Sequence, residues 1–413
     1  MPPGPAGLSS RPLAALVALV ALLGLSTGCS GEDGKSAAEA GTVWRAIAPS
    51  PLTPRDGHAA VWTGERMLVL AGMNLDARRG QGDRRWRAGY SYSPKTKTTT
   101  WLAAEWFPDG AAYDPEANRW ERLPPSPLGG RARPAAFWTG KEVLVWGGLG
   151  ERFAPATDGA AYDPARRSWR RTAGWPGAKG LAWTAVWTGR ELIVWGGFDH
   201  QPDKRPQGAA YDPATNRWRP IAPFPLRSRQ WHTAVWTGSE LIVWGGDDLV
   251  RPSFADGAAY DPPSDEWRML APAPITGRYR HHAVWTGKEM IVWGGQAGPS
   301  EADDGAAYNP KTDRWRALPP SRLAGRHWAS VAWTGKEMIV WSGYDNRRAF
   351  GDGAAYDPDE DRWRALPAAP ISSRCHNSAV WTGSELILWG GTEACGGFGH
   401  RLANGAAYAP QHG

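Results

Sequence analysis

Short apolar runs, four to six residues long and separated by turns rich in glycine and proline, recur along almost the whole chain. The stretch from His232 to Arg280 shows the pattern once through. His232-Thr233-Ala234-Val235-Trp236 is apolar and β-prone, and Thr237-Gly238-Ser239 predicts a tight turn in which glycine can take a positive φ. Leu241 to Trp244 predicts a second strand, stopped by Gly245-Gly246. After a variable loop, Gly257-Ala258-Ala259-Tyr260 predicts a third strand, Asp261-Pro262 opens the next turn, and Trp267 marks a fourth.

The pattern is periodic. Trp-Thr-Gly begins at Trp62, Trp138, Trp187, Trp236, Trp285, Trp333 and Trp381, and Gly-Ala-Ala-Tyr begins at Gly110, Gly159, Gly208, Gly257, Gly305, Gly353 and Gly405. After the first interval both motifs return about every 49 residues. A four-stranded sheet with apolar residues on both faces is not stable alone, and repeats of this length bury such faces by packing in a ring. The last copy, at Tyr408, has no tryptophan after it, whereas Val43-Trp44-Arg45 precedes the first Trp-Thr-Gly. Trp44 is therefore expected to complete the blade begun near Arg374, which joins the chain ends and removes an open edge. Of the 27 tryptophans, twenty fall at repeat-equivalent positions and read as packing between blades rather than as sugar-stacking platforms.

An apolar strand ending in Gly-Gly, then Tyr-Asp-Pro, then tryptophan resembles the kelch repeat; Gly196-Gly197, Tyr211-Asp212-Pro213 and Trp218 are one instance. The resemblance covers residues 43–409. Ala71-Gly72 and Ser342-Gly343 replace the glycine pair, Asn309 replaces the aspartate, and Ala409 ends the last copy. It implies an all-β, seven-bladed kelch-type β-propeller whose innermost strand is the first of each blade. The surplus residues of blade 1, at about 73–109, hold a degenerate copy of the third and fourth strands from Tyr92 to Trp101 and a basic stretch including Arg78 and Arg87. Either that copy is an added hairpin over the loop face, or it completes blade 1 and the Tyr113–Trp120 hairpin is surplus.

Composition adds a location. Arg11, an apolar run from Leu13 to Leu25 too short to span a bilayer, and small residues to Gly28 read as an export signal over residues 1–28. Ending on Gly28-Cys29, it resembles the lipobox of bacterial lipoproteins, which implies lipidation at Cys29 and, by the rule for Ser30, the outer membrane of a Gram-negative cell. Ser26 stands where that motif more often has leucine. Residues 29–42 read as a flexible tether and 43–413 as the propeller. Export puts Cys375 and Cys395 in an oxidising compartment, where a disulfide is expected. The net charge of +6 is scattered without a Lys/Arg block, which argues against nucleic acid.

Two sets of residues are candidates for binding, both just before the first strand. Arg55, Arg131, Arg229, Arg278, Arg326 and Arg374 stand seven residues before Trp-Thr-Gly in six blades, with Gly180 in blade 3. They either ring one mouth of the channel, where guanidinium groups would take an anion, or pair with a repeat-equivalent acid inside each blade. The second set breaks the repeat: Trp183, Trp231, His232, Tyr279, Arg280, His281, His282, His327, Trp328, Cys375 and His376. No catalytic, metal-binding or phosphate-loop motif is found. The expected function is non-catalytic binding of a protein or an acidic glycan by the loop face, with no cofactor, no metal, membrane contact only through the lipid anchor, and a monomeric state. The alternatives are sugar-modifying enzymes on similar propellers: a sialic acid mutarotase, for which His281, His327 and His376 could serve as acid and base, or a copper radical oxidase of the galactose oxidase type.

Overall fold

The computed structural model describes residues 44–74, 90–93, 98–101, 104–175, 177, 181–198, 208–248, 252–393, 395 and 399–410. The export signal, Cys29, the tether, Gly180 and the arginines of the blade 1 insert lie outside these residues. Seven four-stranded antiparallel sheets follow one another around a ring. Blade 4 is representative, with strands Thr233–Trp236, Leu241–Trp244, Gly257–Asp261 and Glu266–Met269. The first strands of neighbouring blades pack against each other and surround the axis. No described helix is long and apolar enough to cross a membrane.

The ring closes as the repeat phase requires. Blade 7 takes three strands from the C-terminal end, Ser378–Trp381, Leu386–Trp389 and Gly405–Tyr408, and its fourth, Trp44–Ala46, from the N-terminal end. Trp44 faces Tyr408 and Ala46 faces Ala406 in that register. In blade 1 the Gly110–Asp114 strand pairs with Met67–Leu70 and with Arg119–Arg122, so the Gly-Ala-Ala-Tyr hairpin completes the sheet. Tyr90–Ser93 and Thr98–Trp101 form a separate two-stranded hairpin.

The second strand of each blade is buried on both faces, and its period of two divides it between neighbours. In blade 4, Leu241 and Val243 pack with Trp195 of blade 3, while Ile242 and Trp244 pack with Met290 and Val292 of blade 5. Each second-strand tryptophan meets the fourth-strand tryptophan of the next blade, as Trp244 meets Trp315 at 5.6 Å and Trp341 meets Trp44 at 6.0 Å. The fourth-strand indole in turn donates to a carbonyl of the preceding blade at all seven junctions: Trp218 to Ala173 at 2.7 Å is one case, and Trp44 to Pro367 at 2.9 Å is the closing one. The expected disulfide between Cys375 and Cys395 is present.

Because Trp44 is buried against Trp341 and Tyr408, Trp44→Ala should destabilise the whole ring by about 3–5 kcal/mol. Urea unfolding checks this, and a change below about 1 kcal/mol would mean that the N-terminal strand does not close blade 7.

Candidate functional site

The six repeated arginines do not line the channel. Each is buried and turned into its own blade, where it makes the same contacts. Arg229 donates through Nε to the Arg227 carbonyl and through Nη1 to the Gly245 carbonyl and to Asp256 Oδ1 at 2.7 Å. Arg55 pairs with Asp109 at 2.7 Å, Arg131 with Asp158 at 3.0 Å, Arg278 with Asp304 at 2.8 Å and Arg326 with Asp352 at 2.7 Å. Arg374 donates to Asn404 Oδ1 at 3.1 Å, and burial lowers its pKa to about 10. The anion-binding ring of arginines is thereby corrected: these guanidinium groups tie the glycine pair and the third strand to the inner edge of the sheet.

Two of the histidine candidates are also structural. His232 and His281 stand three residues after the arginine, as does His58. Each shares a hydrogen bond with the first strand of the preceding blade: His58 with Ser378 at 2.8 Å, His232 with Thr184 at 2.9 Å and His281 with Thr233 at 2.7 Å. Each ring meets the second-strand tryptophan of that blade edge-on, at 4.9, 4.7 and 5.0 Å. Trp183 fills the equivalent place against Trp146. The rings lie over the first glycine of the neighbouring pair; a Cβ on Gly196 would be 2.5 Å from His232. Where the facing residue is Pro134 or Asn377 that glycine can be replaced, and Ala71 and Ser342 stand there. His282 accepts from the Ala329 amide at 3.0 Å, and His281 and His282 form no pair that could work together on a ligand.

The channel is lined instead by the residue two after each arginine: Gly57, Arg133, Trp231, Arg280, Trp328 and His376. All six sit in the left-handed region, with φ from 51° to 60°. Five are not glycine, and strain repeated at one position marks a place where the side chain is needed. Arg280 of blade 5 lies between Trp231 of blade 4, 4.2 Å from its centroid, and Trp328 of blade 6, at 4.5 Å. Trp231 stacks on Tyr279 at 5.6 Å, and Trp328 is edge-on to His376 at 4.4 Å. The aromatic wall therefore runs without a break across four blades.

At its blade 7 end stands a polar group. Asp56 is buried, 3.3 Å from Arg401 and 3.9 Å from His376 Nδ1. Burial alone would raise the Asp56 carboxyl, but the nearby His376 and the charges of Arg401 and Arg133 lower its pKa. Burial lowers the pKa of His376 despite Asp56, and His376 Nε2 is buried without a partner. Arg133 reaches in from blade 2. Its charge acts on Asp56 of blade 1, Arg280 of blade 5 and His376 of blade 7. Its side chain is exposed, and among the described residues no side chain pairs directly with it. His327 packs edge-on against Trp328 at 4.4 Å, with Nδ1 2.8 Å from Glu301 and Nε2 without a partner among the described residues.

Of the sequence candidates, Trp231, Arg280, His327 and His376 come together with Tyr279 and Trp328. Asp56, Arg133, Arg401 and Glu301 were missed. The signal for Arg133 was its register, the same as that of Trp231 and His376. No group of three or more His, Cys, Asp or Glu among the described residues could hold a metal ion.

A model of the KLHDC2/KLHL20/DRC7 Kelch-repeats domain matches residues 182–394, just over half of the chain. The chain belongs to the kelch-repeat family. The solved structure of YjhT shares this propeller with a TM-score of 0.53 and 17% identity, over 69% of this chain and 96% of its own. No curated protein matches.

The interblade histidines make the kelch ring acid-sensitive. Burial lowers His58 and His232 from 6.5 to about 3, so protonation favours the unfolded chain. Their contribution is complete above about pH 6.5 and is lost as pH falls from there toward 3. The melting temperature should fall between about pH 6.5 and 4, and a His58→Gln/His232→Gln chain should show a shallower fall.

Proposed function

We propose that this kelch propeller is a non-catalytic binding module that takes an acidic glycan at the channel mouth. The observation that carries the reading is the Arg133 guanidinium, exposed, without a direct side-chain partner among the described residues, and in the same register as the residues of the aromatic wall. An exposed guanidinium with no partner can give two parallel N–H bonds to a carboxylate. Trp231 and Trp328, clamped on Arg280 and stacked on Tyr279 and Tyr344, form a rigid wall that holds a second cation beside the mouth. An acidic segment of a protein partner is the other ligand that these groups would suit.

The reading places the module outside the cytoplasm, with residues 1–28 as export signal and Cys29 as lipid anchor. The buried Cys375–Cys395 disulfide fits an oxidising compartment. A second reading, acid–base chemistry on a bound sugar, is favoured by the His327–Glu301 pair at 2.8 Å and by the His376–Asp56 contact, both at this mouth. It no longer involves His281, which is enclosed between blades.

The test is binding of soluble residues 43–413 to uronic-acid and sialylated glycans beside their neutral counterparts. Acidic glycans should bind, and Arg133→Ala should weaken them at least tenfold, about 1.4 kcal/mol. Equal binding of neutral and acidic glycans, or none, would overturn the reading. Faster anomer exchange of a bound sugar, lost in His327→Ala, would establish the second.

A further inference from the structure

On the face away from the channel mouth, six junctions between blades share one polar clamp. The arginine after the fourth-strand tryptophan grips a glutamate from the first turn of its own blade and reaches the tyrosine hydroxyl of the next blade. Arg316 donates to Glu289 at 2.8 Å and to Tyr356 at 2.9 Å; Arg45 does the same with Glu385 and Tyr113 across the closing seam. At five of the six the tyrosine completes the clamp by donating to an Asn or Asp five residues on. Tyr260 donates to Asp265 at 2.5 Å, Tyr308 to Asp313 at 2.6 Å and Tyr356 to Asp361 at 2.5 Å.

The junction of blades 1 and 2 breaks every part of this. Glu121 stands where the arginine belongs and Arg66 where the glutamate belongs, paired at 2.9 Å with their charges exchanged. Arg167 stands in place of the Asn or Asp, and turns to Glu121. Leu70 replaces the second-strand tryptophan. Among the described residues the Tyr162 hydroxyl is left with neither a guanidinium donor nor a carboxylate acceptor, and a cavity of about 660 Å³ opens over it, lined by four cations, Arg66, Lys141, Arg166 and Arg167, against three carboxylates, Glu65, Glu121 and Asp163. That volume suits a small molecule.

We propose that this cavity is a second ligand site, for a small organic dicarboxylate. The chain itself supplies the template: in blades 4, 5 and 6 a carboxylate sits on the tyrosine hydroxyl, and in blade 6 it is also 3.1 Å from a guanidinium. At blade 2 the internal carboxylate is missing, and the Tyr162 hydroxyl and Arg167 remain. One ligand carboxylate takes the place of the missing aspartate on Tyr162 beside Arg167. The other faces Lys141, which has no acidic partner among the described residues. The site is independent of the channel and does not rest on the glycan reading.

The probe is succinate, titrated calorimetrically into an Arg133→Ala chain so that the channel does not contribute. One succinate should bind. Tyr162→Phe should weaken it about fivefold. Lys141→Ala, at an exposed residue, removes the cation that faces the second carboxylate and should weaken it about fivefold while the chain still melts cooperatively. Absence of binding in the Arg133→Ala chain, or unchanged affinity in the folded Lys141→Ala variant, would overturn the proposal. Unchanged affinity in Tyr162→Phe would overturn it as well.

Discussion

Every blade presents apolar residues on both faces, so no blade can be stable without two neighbours. The contact that meets this need is the same seven times: a fourth-strand indole packs on the preceding blade and donates its N–H to a carbonyl there, from Trp120 on Ala48 to Trp44 on Pro367. Large aromatic surface and a satisfied donor are delivered by one side chain, which accounts for the abundance of tryptophan. A ring built this way has no free end only if its last sheet borrows a strand, and Trp44–Ala46 supplies it.

Once the ring is fixed by repeated residues, positions that vary in register are released for other work. The position two after each buried arginine shows this. Its backbone keeps the same left-handed conformation in six described blades, while its side chain ranges over glycine, arginine, tryptophan and histidine. The positions that flank it are strongly constrained, the arginine two residues before by its paired acid and the residue after by the glycine of the preceding blade. The variable lining position therefore lies between two structural ones, which is how a channel lining of mixed chemistry arises on a uniform scaffold.

The blade count, the closing strand and the disulfide were legible in the sequence because each rests on the phase of a motif or on the pairing of two cysteines. The direction of the repeated arginines was not decided, although the chain holds the clue. An aspartate or asparagine precedes Gly-Ala-Ala-Tyr in every blade that has the arginine, whereas blade 3 has Gly180 and the longer Gln207 in these places. His232 and His281 looked functional because they break the repeat; they prove to be residues of a packing position that also holds His58 and, with a tryptophan, Trp183. Asp56 and Arg401 could not be found from spacing, since they meet across the closing seam from opposite ends of the chain. The choice between the two hairpins of blade 1 depended on strand pairing, which nearly equal copies do not reveal.

The claim that fold and function are divided between adjacent positions is open to one direct measurement. A chain with Arg133, Trp231, Arg280, Trp328 and His376 all replaced by glycine adopts the conformation that Gly57 already has, and relieves left-handed strain at five places. Its thermal unfolding should remain a single cooperative transition within a few degrees of the parent, while binding of acidic glycans at the channel mouth is lost. A chain that no longer melts cooperatively, or one that still binds them as the parent does, would contradict the account.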